Sequence, residues 1–284
     1  MRGKVNIKTP NQIKAMRESG KFLALILAEL GKYLEPGMST LDLEYKAEEL
    51  FKRYGVQPAF KGYNGYPNIL CTPVNDEVVH SIPNKIPMQK GDILSIDCGA
   101  IVNGMNTDSA IALVVGNETV PEAQKLVDTC IAALWRGIAQ AKPGNHVGDI
   151  GHAIQTIVEG AGFCIVHELT GHGIGHLLHE PPYVLNYGEP GDGEELIPGM
   201  CIAIEPIISI SCSEIETLDD DWTIITSNGS LAIQHEHTLL ITERGNEVLT
   251  IRPGEERQGR KCPLLRQNLL HVAANQPPIS SDRR

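Results

Sequence analysis

An Asn-Gly pair set between two alternating apolar runs constrains this chain more than any other feature. It lies in Gly91-Asp-Ile-Leu-Ser-Ile-Asp97-Cys-Gly99-Ala-Ile-Val-Asn103-Gly104-Met-Asn-Thr-Asp108. A two-residue type I′ turn needs positive φ at both central positions, which Asn-Gly accepts readily, so the stretch predicts a β-hairpin. With Asn103 and Gly104 as the turn, Val102 faces Met105 and Asp108 faces Gly99. Side chains alternate with period two, so Asp97 and Asp108 share a face as diagonal neighbours, roughly 7 Å apart at Cβ. Like charges on a largely apolar hairpin repel unless a cation lies between them or water reaches both. Taken alone, the pair is compatible with either a metal site or a solvated sheet face.

The second half repeats the plan of the first. Pro36-Gly37, followed by Asp42-Leu43, recurs 107 residues later as Pro143-Gly144 with Asp149-Ile150, and Gly55 recurs as Gly162. At a shift of 108, Gly91 through Asp97 lines up with Gly199-Met-Cys-Ile-Ala-Ile-Glu205. Chance similarity of Gly/Pro punctuation explains any one match; four at nearly one offset favour a duplication. Asn228-Gly229 precedes a further alternating run, Ser230 to Thr242, which predicts a second hairpin with Glu236 on its return strand. A pseudo-twofold would then gather Asp97, Asp108, Glu205 and Glu236 at one centre, where a metal becomes the better reading.

The remaining chain supplies helices around these strands. Thr9-Pro10-Asn11-Gln12 has capping-box spacing with Pro at the first helical position, predicting a helix to about Leu34. Pro36-Gly37 ends it, Ser39 caps a second helix to about Tyr54, and Gly55 closes that one. The longest apolar run, Phe22 to Ala28, is far short of the ~18 residues of a membrane span. The net charge of −11 disfavours general nucleic-acid affinity. Seven cysteines, an odd number without a C-x-x-C pair, support neither a disulfide framework nor a zinc knuckle, and the expected compartment is the reducing cytosol. From Arg252 the periodicity fades, so 252–284 is expected to be a mostly flexible, basic tail, within which Leu264 to Ala274 has the makings of a short helix.

His167-Glu-Leu-Thr-Gly-His172-Gly-Ile-Gly-His176-Leu-Leu-His179-Glu-Pro-Pro brings imidazoles to a glycine-rich strand and turn. His167 to His172 is one residue too long for H-E-x-x-H, and Gly171, Gly173 and Gly175 oppose the helix that motif needs. Glycines here instead let backbone approach closely in a crowded site.

Asp97 with Asp108 eleven residues on, Asn75-Asp-Glu-Val-Val-His80, Thr170-Gly-His172-Gly, His179-Glu-Pro-Pro, Ile204-Glu205-Pro206, Trp222-Thr and Glu236-His-Thr together resemble a type I methionine aminopeptidase, the bacterial short form within the M24 metallopeptidases. The resemblance covers roughly residues 5 to 250. It implies an α/β pita-bread fold, with halves of about 9–116 and 117–251 related by a pseudo-twofold around a curved antiparallel sheet. It further implies two divalent ions (Co, Mn, Fe or Zn): Asp97 on one, His172 and Glu205 on the other, and Asp108 and Glu236 bridging both. Glu205 would also act as general base, while His80 and His179 would hydrogen-bond the scissile amide and the intermediate. Phe60, Tyr63, Tyr66, Cys71 and Trp222 align with the wall of the methionine pocket. The implied substrate is a nascent polypeptide with N-terminal methionine and a small second residue, met in the cytoplasm by a monomer, with a ribosome contact open to the basic tail. His176 matches no family role and reads as a surface residue. The sequence departs from many relatives at Phe60, Leu178, Gly99, Asn106-Thr107 and His235.

Two rivals share some of these features. Xaa-Pro peptidases have the same five ligands but usually carry an additional N-terminal domain, whereas here the first ligand comes at position 97. Non-catalytic relatives have lost their ligands, and here all five are present with His80 and His179.

Overall fold

The computed structural model describes residues 4–255 except 117 and 119. Helix α1 (Pro10–Tyr33) begins at the expected capping box, with Thr9 accepting from Gln12 N–H and the Gln12 side chain returning to the Thr9 backbone. Helix α2 (Thr40–Tyr54) is capped by Ser39 and closed by Gly55. Short strands β1 (Gln57–Pro58) and β2 (Glu77–Val79) lead to β3 (Ile93–Val102) and β4 (Met105–Val114). The last two form the expected hairpin, with Val102 opposite Met105 and Gly99 opposite Asp108. Positive φ at Asn103 (50°) and Gly104 (74°) makes the turn.

The order then repeats: two helices, α3 (Pro121–Ile138) and α4 (Val147–Gly160), precede a second set of strands. Gly37 and Gly144 have φ of 90° and 87°, and Gly55 and Gly162 have 68° and 85°. The repeated glycines therefore serve one conformational need, left-handed backbone at matching corners. Strands β5 (Cys164–Ile165), β6 (Gly171–Gly173), β7 (Glu180–Val184), β8 (Cys201–Ile204) and β9 (Ile207–Ser209) follow. After these come β10 (Ile215–Thr217), β11 (Ile224–Thr226), β12 (Ala232–Gln234), β13 (His237–Thr242) and β14 (Gly245–Val248). The largest sheet has the order β14-β13-β8-β6-β7, antiparallel throughout.

Two apolar cores hold the helices to the strands. Leu23, Ile26 and Leu27 of α1 and Leu43 and Leu50 of α2 are fully buried in a cluster that includes Leu94 and Ile96 of β3. Leu126 and Leu134 of α3 and Ile150 and Ile154 of α4 are buried with Ile202 and Leu239 of the large sheet. Burying each such side chain stabilises the fold by about 1.5–3 kcal/mol. Ser19 Oγ locks α1 behind the first hairpin, donating to the Ala100 carbonyl at 2.9 Å and sharing a 2.8 Å hydrogen bond with Thr107 Oγ1.

Three expectations need correction. Asn228-Gly229 does not join the strands that bear Glu205 and Glu236. It lies between β11 and β12, with Asn228 Oδ1 accepting from Ser230 N–H, while β10 pairs with β11 and β11 reaches across to pair with β2. The partner strands are β8 with β13 and β9 with β12, interrupted at Glu205-Pro206 on one side and His235-Glu236 on the other. Pro206 has no N–H for the ladder, which accounts for the interruption on its side.

A disulfide joins Cys164 and Cys212, with Cα atoms 5.1 Å apart. Cysteine parity and spacing could not reveal it, because the pairing of β5 with β9, Cys164 opposite Ser209, is what brings these residues together. Cys71, Cys98, Cys130 and Cys201 are buried free thiols. Arg252 and Glu255 are also buried, 7% and 6% exposed, so the packed chain extends to the last described residue. The two are paired with each other, so they are buried without an apolar period that the sequence could show. The remainder of the expected tail, including Leu264 to Ala274, lies outside the described residues.

Candidate active site

The five proposed ligands come from five neighbouring strands or strand ends. Asp97 is on β3 and Asp108 on β4, Glu236 precedes β13, Glu205 follows β8, and His172 is on β6. Ladders join β3 to β4, β13 to β8 and β8 to β6. Between β4 and the segment around Glu236 the junction is made largely by side chains. Asp108 N–H donates to Thr238 Oγ1 (2.9 Å), which donates back to the Asp108 carbonyl (2.8 Å). Ser109 Oγ donates to the Glu236 carbonyl (2.8 Å), and Glu236 N–H donates to the Ala110 carbonyl (3.0 Å).

This layering brings all five side chains to one cavity of about 390 Å³. Ligand atoms of Asp108, His172 and Glu236 lie within 4.8 Å of one another, and His172 Nε2 is 3.5 Å from Glu205 Oε1. At about 4 Å, two unit charges interact by about 4 kcal/mol in a partly screened interior. Four carboxylates lining one buried cavity therefore need a cation, or protons, among them. Burial pushes the Asp108 carboxyl up to about 7, and burial together with neighbouring acids raises Asp97, Glu205 and Glu236 well above the usual carboxylate range. Asp97 Oδ1, Asp108 Oδ1 and Glu236 Oε1 are buried without a hydrogen-bond partner. Oxygens left in that condition fit a hard or borderline divalent metal.

The imidazole fits as well. His172 Nδ1–H donates to the Gly173 carbonyl (2.9 Å), which leaves the Nε2 lone pair facing the acids. Burial, reinforced by His179, pulls its pKa down to about 3, favouring the neutral form that binds metal. The glycines around it have the expected packing reason: a Cβ on Gly171 would lie 2.4 Å from the Ala203 carbonyl oxygen, and one on Gly173 2.2 Å from that of Pro181.

The remaining predicted site residues line the same cavity: Phe60, Tyr63, Tyr66, Cys71, His80, His179 and Trp222. Tyr66 and Trp222 meet edge to face, centroids 5.1 Å apart, brought together by the β10–β11 excursion. Tyr66 Oη donates to the Leu70 carbonyl (2.7 Å), so its ring is fixed. Cys71 exchanges backbone hydrogen bonds with Asp97 at 2.9 and 3.0 Å, seating the thiol beside that acid. His179 Nδ1 is 2.9 Å from Tyr63 Oη, and its ring is 4.2 Å from that of His172. His80 follows β2 at φ 58° and, like His179, is open to solvent. Gly99 leaves room for the Phe60 ring: a Cβ there would come within 3.0 Å of that ring and 2.8 Å of Ala59. His176 is exposed, 2.7 Å from the Gln12 side chain at the start of α1.

Sequence reading missed three supports. Gln234 Nε2 donates to Glu205 Oε2 (3.0 Å); standing two residues before Glu236, it was accessible to an alternation argument. Asn186 Nδ2 holds the Glu205 carbonyl at 2.9 Å. Lys8 Nζ forms a buried ion pair with Glu180 (2.8 Å), and Glu180 accepts from Leu177 N–H, bracing the turn that carries His179. Neither of these two has a local signal. His235, His237 and Glu255 form a second compact donor cluster, but the Arg252 guanidinium already occupies it, 2.6 Å from Glu255 Oε1.

The model of metallopeptidase family M24 matches residues 14–243. Methionine aminopeptidase 1 of Bacillus subtilis is 44% identical over 243 residues, 86% of this chain and 98% of that protein. The crystal structure of a methionine aminopeptidase from Thermotoga maritima superposes with a TM-score of 0.85 at 43% identity, covering 87% of this chain and 99% of that one. The shared architecture is the pita-bread fold. A prolidase from Pyrococcus furiosus has the same fold at a TM-score of 0.69 and 24% identity, but this chain covers only 66% of it.

Proposed function

The chain belongs to metallopeptidase family M24, as one of its methionine aminopeptidases, and on that premise we propose that it removes the initiator methionine from nascent polypeptides with a small second residue. The reading rests chiefly on one observation: buried, partnerless carboxylate oxygens and a lone-pair imidazole converge on the floor of a cavity walled by aromatic rings and a thiol. Those walls suit a thioether side chain.

In this reading Asp97, Asp108, His172, Glu205 and Glu236 hold two divalent ions. Mixed carboxylate and imidazole donors suit Mn²⁺, Fe²⁺ or Co²⁺ and tolerate Zn²⁺. Ions bound there supply charge that polarises the scissile carbonyl and lowers the pKa of water. Glu205 takes the proton of the attacking water and passes it to the leaving amine, a general-base role worth ~10²–10⁴-fold. Gln234 holds Glu205 Oε2 and so fixes the carboxylate plane for that transfer. His80 and His179 donate to the scissile amide and to the charge that develops on its oxygen. Tyr63 sets the ring of His179 through their hydrogen bond. Phe60, Tyr66, Cys71 and Trp222 enclose the methionine side chain, and the cytoplasm, where nascent chains emerge, is the implied place of work.

The test is hydrolysis of Met-Ala-Ser by metal-stripped protein before and after addition of Mn²⁺, Fe²⁺ or Co²⁺, with Met-Lys and Ala-Pro peptides alongside. Metal-restored release of methionine from Met-Ala-Ser alone is the expected result. Cleavage of Ala-Pro only would assign the chain to the proline-specific branch, and silence with metals bound would reject peptidase action on these substrates.

A further inference from the structure

We propose that Arg252 is a positioning residue for the two acids assigned as bridging ligands, joining the strand of Asp108 to the segment of Glu236 from the reverse face of the sheet. The inference rests on the reading of Glu236 and Asp108 as metal ligands. Glu236 lies in the gap between β12 and β13, so a continuous ladder does not set its direction. Alternation turns its neighbours His235 and His237 to the other side, and there both meet one guanidinium. Arg252 Nη2 is 3.0 Å from His235 Nε2 and 3.3 Å from His237 Nε2, and it donates to Glu255 Oε1 at 2.6 Å.

The other arm of the guanidinium reaches the first hairpin. Nη1 donates to Ser109 Oγ (3.1 Å) and the Ala110 carbonyl (3.3 Å). Ser109 follows Asp108 directly, and its hydroxyl donates its own hydrogen bond to the Glu236 carbonyl. The Ala110 carbonyl also accepts from Glu236 N–H. His235 Nδ1 accepts from Ala112 N–H (2.9 Å), adding another tie between β4 and this segment. Arg252 thus touches both strands at the positions next to both acids. Glu255 keeps the guanidinium in place, since its second oxygen accepts the Arg252 backbone N–H at 3.0 Å.

A buried ion pair is a poor device for stability alone, because apolar residues of similar volume commonly serve as well. Arginine has what apolar residues lack, donors in a fixed fork that can hold several acceptors on two strands in one plane. Partners behind metal ligands typically account for about 10–100-fold in metal affinity or activity.

The experiment uses the full chain. Metal-stripped wild type, Arg252→Lys and Ser109→Ala are titrated calorimetrically with Mn²⁺, and kcat and KM for Met-Ala-Ser are measured at saturating Mn²⁺. Arg252→Lys keeps the charge but cannot span both strands; its Mn²⁺ dissociation constant should rise roughly tenfold and kcat should fall, with KM within about twofold of wild type. Ser109→Ala leaves the ion pair intact and should shift Mn²⁺ affinity in the same direction by a smaller factor. Unchanged Mn²⁺ affinity and kcat in Arg252→Lys, with only a lower Tm, would overturn the proposal. If that variant does not fold, unchanged affinity in Ser109→Ala overturns it. A wild type that takes up no Mn²⁺ would remove the reading of the ligands themselves, a separate and distinguishable failure.

Discussion

The two strand pairs that bear the acids solve one problem in different ways. In the first, β3 and β4 run ten residues each without interruption, and the pleat alone puts Asp97 and Asp108 on one face. In the second, Glu205 and Glu236 both lie where the ladder is broken. Their directions depend on side-chain props: Gln234 and Asn186 on Glu205, Ser109 and, through it, Arg252 on Glu236. A regular hairpin aims its side chains by register, whereas a broken one needs partners from elsewhere in the chain. At the break, Glu205 lies 3.5 Å from His172 Nε2, and ligand atoms of Glu236 and His172 lie within 4.8 Å of each other.

The largest effect that could sharpen this contrast is expected at Glu205, the one residue asked both to bind metal and to move a proton. Glu205→Gln should weaken one metal and lower kcat by ~10³-fold; a variant with normal kcat would refute the base assignment. His80 belongs to neither strand pair, so His80→Ala should lower kcat by ~10²-fold with metal content intact, and loss of a metal would mean that a ligand has been misassigned. The contrast itself is broken most simply by a pair of variants. Gln234→Leu should raise a metal dissociation constant roughly tenfold, while Cys98→Ala, next to Asp97 on the unbroken hairpin, should leave metal affinity within about twofold. Equal losses in the two would show that the ladder does not aim Asp97 as argued.

The smallest effect concerns pH. The acids of the site have folded-state pKa values above their unfolded values, which are about 4. Their contribution to stability is therefore full below about pH 4 and is lost as pH rises through the folded values, about 7 for Asp108. Metal-free protein should lose a few degrees of Tm between pH 5 and 8, and Mn²⁺ should raise Tm more at pH 8 than at pH 5. A metal-free Tm that climbs over this range would contradict the crowding of uncompensated acids.

What could be read from the residues alone was whatever local chemistry dictates. The capping boxes at Thr9 and Ser39, the closing Gly55 and the register through Asn103-Gly104 involve residues a few positions apart, and each is present as expected. The family resemblance in the motifs around His172, Glu205 and Glu236 grouped the five proposed ligands, and all five line the cavity. What escaped was what only tertiary pairing creates. The alternation around Glu236 looked regular, so the break there did not show. Cys164 and Cys212 become neighbours only through the β5–β9 ladder. Lys8 and Glu180 are 172 residues apart. Arg252 looked like the start of a polar tail because burial of an ion pair leaves no apolar period to detect.

The most direct measurement is anomalous diffraction at the manganese edge from crystals of the full chain grown with Mn²⁺. The account predicts two peaks enclosed by Asp97, Asp108, His172, Glu205 and Glu236, with none at His235, His237 and Glu255, where Arg252 already supplies the positive charge. A peak in the Arg252 cluster, or no peak among the five donors, would contradict it.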